Sequence, residues 1–220
     1  MGVSKTIAFL PFRSGSKGIL DKNIKHLLGK SLYKYALDAT VAVKELDQII
    51  IGTDYPQAMF TNYLKEDSRV TYWDRTGTKG ISDTASTELA IEEMVLALGI
   101  TPDTNIILVQ VTNPFIDSNI IDRAIGWYKG TGTLFSVVPF DRYLWGENKD
   151  LVYYEKREIR QDMKSMYLEN GALYIFNIRE FLESGDRMNK PLDFIEMKKE
   201  SIFEIDDNDD WNIIEKLIRF

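Results

Sequence analysis

Apolar residues along this chain follow two alternating periods, and the alternation lays out an ordered set of elements. Residues 7–12, 48–53, 105–111 and 133–139 are short, nearly unbroken apolar runs of strand length, with a further strand near 69–73. Runs of this kind suit strands buried on both faces of a parallel sheet. Between them the apolar spacing changes to three and four. Residues 31–44 place Leu32, Tyr35, Ala36 and Ala39 on one helical face, and a short helix is expected over 56–65. Asp83 is the expected N-cap of a helix reaching Leu98, with Ile91, Met94, Val95 and Leu98 as its buried stripe. Asp117 or Ser118 caps the next helix, which carries Ile121, Ala124, Ile125 and Tyr128. This β-α order predicts an α/β fold, a mostly parallel sheet with helices on both sides. Ligands of such sheets sit beyond the carboxyl ends of the strands, where the loops after Phe12, Trp73 and Val111 converge.

The pattern loosens between 140 and 167, where aromatic and charged residues mix without a clear period (Tyr143, Trp145, Tyr153, Tyr154, Arg157, Arg160). This stretch is expected to leave the sheet as a hairpin or arm that pairs with another subunit. Strand character returns at 172–177 and again at 201–205. A last helix starts at Asp207 with Trp211, Ile214, Leu217 and Ile218 on its apolar face. With 220 residues, no internal repeat and no linker, residues 1–220 are expected to form one domain with an insertion.

Charge and composition narrow the function. A net charge of −7 argues against broad binding to nucleic acid or anionic membrane, so any phosphate site must be a local cluster of cations. The absence of cysteine excludes disulfides, zinc–thiolate sites and a thiol nucleophile. A single histidine, His26, leaves little scope for a histidine metal site or triad. No apolar run approaches the roughly 18 residues of a membrane span. Met1-Gly2 with Thr6 fits the myristoylation pattern nominally, but no polybasic patch accompanies it and Thr6 opens a core strand. A cytoplasmic location is expected.

The stretch that organises the rest runs from Phe9 to Asn23. A strand feeds a loop with Gly15 and Gly18 and three cations, Arg13, Lys17 and Lys22. The glycines allow close backbone approach and positive φ, and the cations with backbone N–H groups make a cradle for a polyphosphate. On spacing alone the loop is equally compatible with a solvated turn. It is neither of two known phosphate motifs. The dinucleotide fingerprint lacks its third glycine, and the P-loop reading of Gly29-Lys30-Ser31 would need a glycine where Ile24 stands. Near the other end, Glu204 and Asp206 flank Ile205, so in a strand both carboxylates would face one side and share a divalent ion. Hard oxygen donors beside phosphates point to Mg²⁺. Gln110, Thr112 and Asn113, and then Asn170 with Tyr174, place amides and hydroxyls at strand ends, where turn chemistry is the alternative.

Taken together, Arg13 to Gly18 with Lys22-Asn23, Ser82 to Ser86, Gln110 to Pro114, Arg160-Gln161, Asn170 to Tyr174 and Glu204 to Asp206 resemble, in order, the motifs of the acylneuraminate cytidylyltransferases, or CMP-sialic acid synthetases. The resemblance covers nearly the whole chain. It implies a three-layer α/β/α, Rossmann-like nucleotide-diphospho-sugar transferase fold, a homodimer built through an arm at about 140–168, and transfer of CMP from CTP to a nonulosonic acid with Mg²⁺. By position it implies that Arg13, Ser16, Lys17 and Lys22 hold the triphosphate, with Arg13, Lys17 and Asp206 the catalytic set. Asn23, Arg75, Ser82 and Asp83 contact ribose or cytosine. Gln110, Thr112, Asn113, Asn170 and Tyr174 line the sugar site, Arg160 reaches toward the partner's site, and Glu204 with Asp206 binds the metal. The chain departs from the family pattern mainly in the sugar half. Val111, Asn113, Ile116 and Leu168 replace a proline, a serine and two arginines, and Glu204 replaces an aspartate. These changes favour a sugar acid other than N-acetylneuraminate. The alternatives are a cytidylyltransferase for the eight-carbon acid of lipopolysaccharide and a nucleotide-binding homologue that has lost catalysis.

Overall fold

A seven-stranded sheet forms the centre of the computed structural model, which describes residues 4–153, 157, 159, 161 and 165–219. The strands are β1 (Thr6–Pro11), β2 (His26–Leu27), β3 (Lys30–Ser31), β4 (Gln48–Thr53) and β5 (Val70–Asp74), followed by β6 (Asn105–Val109), β7 (Thr133–Phe140), β8 (Met166–Asn177) and β9 (Leu192–Glu196). The helices are α1 (Leu32–Ala42), α2 (Thr61–Glu66), α3 (Thr87–Leu98), α4 (Ser118–Trp127), α5 (Ile178–Ser184) and α6 (Asn208–Arg219). Strand order is β5-β4-β1-β6-β8-β7-β9, with β2 and β3 forming a separate ribbon. Within the seven-stranded sheet pairing is parallel except at β8, which runs antiparallel to both β6 and β7, and the β2–β3 ribbon is antiparallel.

The three layers follow from the apolar runs. Ile49, Ile50 and Ile51 of β4 are all fully buried, Ile49 and Ile51 facing α1 and α4 and Ile50 facing α3. Burying each isoleucine contributes about 1.5–3 kcal/mol, which explains why a continuous run marks a central strand. A third cluster ties α6 to the segment after β1, through Ile19, Leu27, Leu32, Ile205, Trp211 and Ile214. That cluster brings the two ends of the chain together at the carboxyl edge of the sheet.

Several expectations need correction. The chain at 201–205 is not a strand: a 3₁₀ turn spans Lys199–Ile202, and Ile205 N then donates to Thr112 O at 3.0 Å rather than joining a ladder. The edge position belongs to β9, whose only buried residue is Ile195, so its apolar signal is weak. Strand β8 begins at Met166 instead of 172. Its register slips between Phe135 and Val137 of β7, and Gly171 takes φ +67, so the strand continues through the irregularity. Ser86, not Asp83, caps α3, its hydroxyl accepting from Leu89 N at 3.2 Å. The seven-residue helix α5 carries too short a pattern to be anticipated.

Where an arm was expected, β7 and β8 extend outward as a pair reaching Phe140 and Met166, and Trp145 bridges Leu151 beyond them. Most of residues 154–164, Arg160 included, lie outside the described residues. Among the described residues no helix is long and apolar enough to cross a membrane.

Candidate active site

A cleft of about 210 Å³ opens at the carboxyl ends of β1 and β6, between the loop after β1 and the start of α3. Arg13, Ser16, Lys22, Asn23, Arg75, Ser82, Asp83, Gln110 and Thr112 all line it, although they come from five separate stretches of chain. The loop is shaped from within. Ser14 donates to Asp54 through N at 2.7 Å and through Oγ at 2.5 Å, which anchors the loop to the end of β4. Arg13 Nη1 donates to Ser14 O and Gly15 O, both at 3.2 Å, and Gly15 adopts φ +65. The left-handed turn at Gly15 is a conformation that favours glycine.

The cations of the loop converge on one acid. Asp83 pairs with the Arg13 guanidinium and, at 3.1 Å, with Lys17 Nζ, while the Lys17 side chain is 75% exposed at the mouth of the cleft. Hydrogen bonding from Lys17, with the nearby Arg13 charge, holds the Asp83 carboxyl below the usual carboxylate range. Drawn to these cations, Asp83 is unavailable as a helix cap. Lys22 is nearly buried and donates to Ile205 O at 2.5 Å and Asp206 Oδ1 at 3.1 Å.

Two polar atoms in the cleft wall are buried without a partner, Arg75 Nε and Asn23 Oδ1. Arg75 is 3% exposed, donates through Nη2 to Gly80 O at 2.6 Å, and lies 5.7 Å from the Trp73 ring centroid. A Cβ at Gly52 would meet the Phe9 ring at 2.6 Å and Arg75 Cδ at 3.2 Å, so this strand glycine makes room for both. Burial lowers the Arg75 pKa, against the opposing charges of Glu93 and Asp54. Asn23 spends its Nδ2 on Arg13 O at 2.9 Å. An orphaned buried polar atom costs about 1–3 kcal/mol, and a ligand that satisfies it recovers that cost.

The residues assigned to the sugar by resemblance are arranged differently. Gln110 and Thr112 face the cleft. Asn113 is fully buried, donating through Nδ2 to Ser201 O at 2.9 Å and Asn170 O at 3.3 Å. Asn170 in turn donates to Ser201 Oγ at 2.9 Å and accepts from Ser136 Oγ at 2.6 Å. Both amides thus knit the loop after β6, strand β8 and the turn at 199–202 together behind the cleft. Tyr174 lies in the core under α3. Its hydroxyl donates to Glu169, and the Arg187 guanidinium, paired with Glu88, sits 4.6 Å from its ring centroid. Burial is the main reason its phenol pKa is raised. Asp54, Gly80 and Arg187 were not anticipated, and Ser86 was named only as the end of the 82–86 motif, with no role given to it. Of the unanticipated residues, Asp54 carried a sequence signal, as the residue closing a buried strand at the ligand edge.

Glu204 and Asp206 lie beside the cleft. Thr112 Oγ1 donates to Glu204, and a Cβ at Gly171 would come within 2.8 Å of Glu204 Oε2, so that glycine makes the cradle for the carboxylate. Burial pushes the Glu204 carboxyl up, with the Asp206 charge adding and the Thr112 hydroxyl opposing. No group of three or more metal-ligating side chains occurs among the described residues. Two carboxylates next to a cluster of cations nevertheless fit Mg²⁺, which commonly takes one or two carboxylates and fills its octahedron with water and other oxygens.

The model of the cytidylyltransferase family matches residues 7–201. The N-acylneuraminate cytidylyltransferase of Escherichia coli is 30% identical over 96% of this chain and 51% of its own length. The chain thus spans about half the length of the curated relatives it first matches. The CMP-N,N'-diacetyllegionaminic acid synthase of Legionella pneumophila is 27% identical and is covered over 96% of its length by 97% of this chain. Among solved structures, a 4-diphosphocytidyl-2C-methyl-D-erythritol synthase superposes with a TM-score of 0.70 at 12% identity, covering 99% of this chain and 100% of its own, a likeness of fold. With its family model spanning most of the sheet and the whole cleft lining, this chain belongs to the cytidylyltransferase family.

Proposed function

We propose that this protein transfers CMP from CTP to the anomeric hydroxyl of a sialic-acid-like nonulosonic acid and releases pyrophosphate, acting in the cytoplasm as a Mg²⁺-dependent homodimer. The observation that carries the reading is the pair of unpartnered buried atoms, Arg75 Nε and Asn23 Oδ1, in a cleft lined by Arg13 and the buried Lys22 with Lys17 at its mouth. A donor and an acceptor fixed in the wall suit the carbonyl and amino edge of a cytosine, or a ribose hydroxyl. The cations beyond them suit a triphosphate. Two relatives named for N-acylneuraminate and N,N'-diacetyllegionaminic acid support a nine-carbon acid as acceptor.

In this reading the sugar hydroxyl oxygen bonds to the α-phosphorus as the bond to the β-phosphate oxygen breaks, and pyrophosphate leaves with the electron pair. Arg13, Lys17 and Lys22 neutralise the charge that develops, since phosphoryl transfer depends on positioning and electrostatics. Asp206, with Glu204, would hold Mg²⁺. Bound there, the ion would lower the hydroxyl's pKa and offset phosphate charge. The hydroxyl proton passes to the Asp206 carboxylate. Gln110 and Thr112, which line the cleft, would meet the sugar acid. Exposed Trp145, Tyr153, Tyr167 and Leu168 at the outer end of the β7–β8 pair support contact with a second copy there.

The test is pyrophosphate release with CTP, Mg²⁺ and a panel of sugar acids. Release with a nine-carbon acid is expected. Release with the eight-carbon acid alone overturns the acceptor assignment, and CTP binding without turnover overturns catalysis. Asp206→Asn turning over near normally in saturating Mg²⁺ would remove Asp206 as proton acceptor.

A further inference from the structure

The two glycines of the loop after β1 do different physical work. Gly15 sits at φ +65 with nothing within 4 Å of an added Cβ. An alanine there strains the backbone but touches nothing. Gly18 is the reverse. Its φ lies outside the left-handed region, so alanine suits its backbone, yet the added Cβ would lie 2.0 Å from Asp206 O and 3.2 Å from Asp206 C. The close approach that this glycine permits is therefore to the chain's own carboxylate segment, not to a ligand.

Two other contacts join the same pieces. Lys22 Nζ donates to Ile205 O at 2.5 Å and pairs with Asp206 Oδ1 at 3.1 Å. Ile19, next to Gly18, is buried with Ile205, Trp211 and Ile214. The Asp206 side chain itself is 76% exposed, so apart from the Lys22 ion pair its place rests on the backbone, on the close approach at Gly18 and on Ile205 N, which donates to Thr112 O at 3.0 Å. Asp210 adds one tie, accepting from Asp206 N at 3.0 Å, but it belongs to the same segment.

We propose that Gly18 is a positioning residue for Asp206: the phosphate-facing loop and the carboxylate segment form one clasp, and the missing side chain at 18 sets the distance between them. The loop that carries the cations and the segment that carries Asp206 are then set against each other at this close approach, which the Lys22 and Ile19 contacts reinforce. An alanine at 18 pushes Asp206 away from the cleft while leaving the lining residues Arg13, Asn23 and Arg75 in place. The inference deepens the proposed nucleotide and Mg²⁺ site and rests on that reading.

The experiment uses calorimetry on the full chain, with no sugar acid present, so its outcome is independent of whether the sugar assignment holds. CTP binding is measured without divalent ion and then across a Mg²⁺ titration, for the native protein, Gly18→Ala and Gly15→Ala. Native protein that binds no CTP would overturn the underlying nucleotide reading and is distinguishable from failure of the clasp. Gly18→Ala is expected to bind metal-free CTP within about twofold of native while needing about 10-fold more Mg²⁺ for half-maximal enhancement, the scale seen when a ligand's supporting contact is removed. Gly15→Ala is expected to weaken metal-free CTP binding and to leave the Mg²⁺ midpoint where it was. Equal weakening of both measurements in Gly18→Ala, or an unchanged Mg²⁺ midpoint, overturns the proposal. Should Gly18→Ala fail to fold, Ile19→Ala loosens the same clasp by a cavity instead of a clash. It must also shift the Mg²⁺ midpoint more than metal-free affinity, and an unchanged midpoint there counts against the proposal equally.

Discussion

The part of the cleft that the proposal gives to the nucleotide and the residues that the family resemblance gives to the sugar differ in how their polar atoms are spent. On the nucleotide side, Arg75 Nε and Asn23 Oδ1 are buried without partners, and Arg13 and Lys17 share one acid at the mouth. Among the residues assigned to the sugar, the Asn113 and Asn170 amides are satisfied within the protein through Ser136, Ser201 and, for Asn113, the Asn170 carbonyl. An unpaired buried atom is costly, a cost that a ligand or water pairing with it relieves, whereas a closed network stabilises and positions. Residue types that look alike in a motif, such as Asn23 and Asn170, therefore perform different jobs. One presents a free acceptor, and the other fixes a strand against a turn.

The largest effect expected to break this comparison is at Arg13. If its guanidinium meets the phosphates, Arg13→Ala should lower turnover by about 10²–10³, the loss typical of one charge-stabilising donor, or about 2.7–4 kcal/mol. The thermal midpoint should hardly move, because the side chain is part-exposed and its pairing with Asp83 is replaceable by water. Steady-state kinetics beside a melting curve makes the check. A large drop in melting temperature with unchanged turnover per folded molecule would move Arg13 to the structural side.

Asn170 should behave in the opposite way. Asn170→Ala removes the amide that bonds Ser201 and Ser136 and leaves buried groups unpaired, which costs about 1–3 kcal/mol. For a chain of this size that corresponds to about 2–4 °C of melting temperature per kcal/mol. CTP affinity should stay near native, since none of these atoms lines the cleft. Loss of sugar turnover in a fully stable variant would instead make Asn170 a ligand-contacting residue, as the family resemblance implies.

How far the chain's order disclosed all this depends on the kind of signal. Central strands were legible because burial on both faces demands a continuous apolar run, and Ile49 to Ile51 supply one. The edge strand β9 was not legible, because Ile195 alone is buried and exposed Leu192 and Phe194 break no rule of a loop. The cations of the first loop declared themselves by charge and glycine. Their convergence with Ser82, Asp83 and Gln110 was expected from the β-α order, which brings the loops after Phe12, Trp73 and Val111 to one sheet edge, and from the family resemblance, although no spacing along the chain encodes it. The pairing of Gly18 with Asp206 spans almost the entire sequence and depends on α6 folding back onto Ile19, which no local pattern encodes. The same limit applies to Asp83, which fits the rules for a helix cap until the cations of another loop are brought to it.

Asp83 gives the smallest effect and the sharpest division between two roles. Its carboxylate occupies the two cations that the proposal assigns to phosphates, so CTP must displace it. Asp83→Asn keeps the shape and removes the charge, and CTP affinity measured by calorimetry should rise a few-fold. If Asp83 instead contacts ribose or base, as the resemblance implies, affinity should fall. The pH dependence supplies an independent control. Lys17 and Arg13 lower the Asp83 pKa below its ordinary 3.8, so the pairing is fully present above that value and is lost only as pH falls through the lowered one. Between pH 5 and 8 Asp83 should therefore contribute no slope. A change in CTP affinity over that range should track the terminal phosphate, whose second ionisation lies near 6, and should persist unchanged in Asp83→Asn. A slope that disappears in the variant would mean that Asp83 titrates within that range, and the ion pairs with Arg13 and Lys17 would then be too weak to act as the placeholder that the triphosphate displaces.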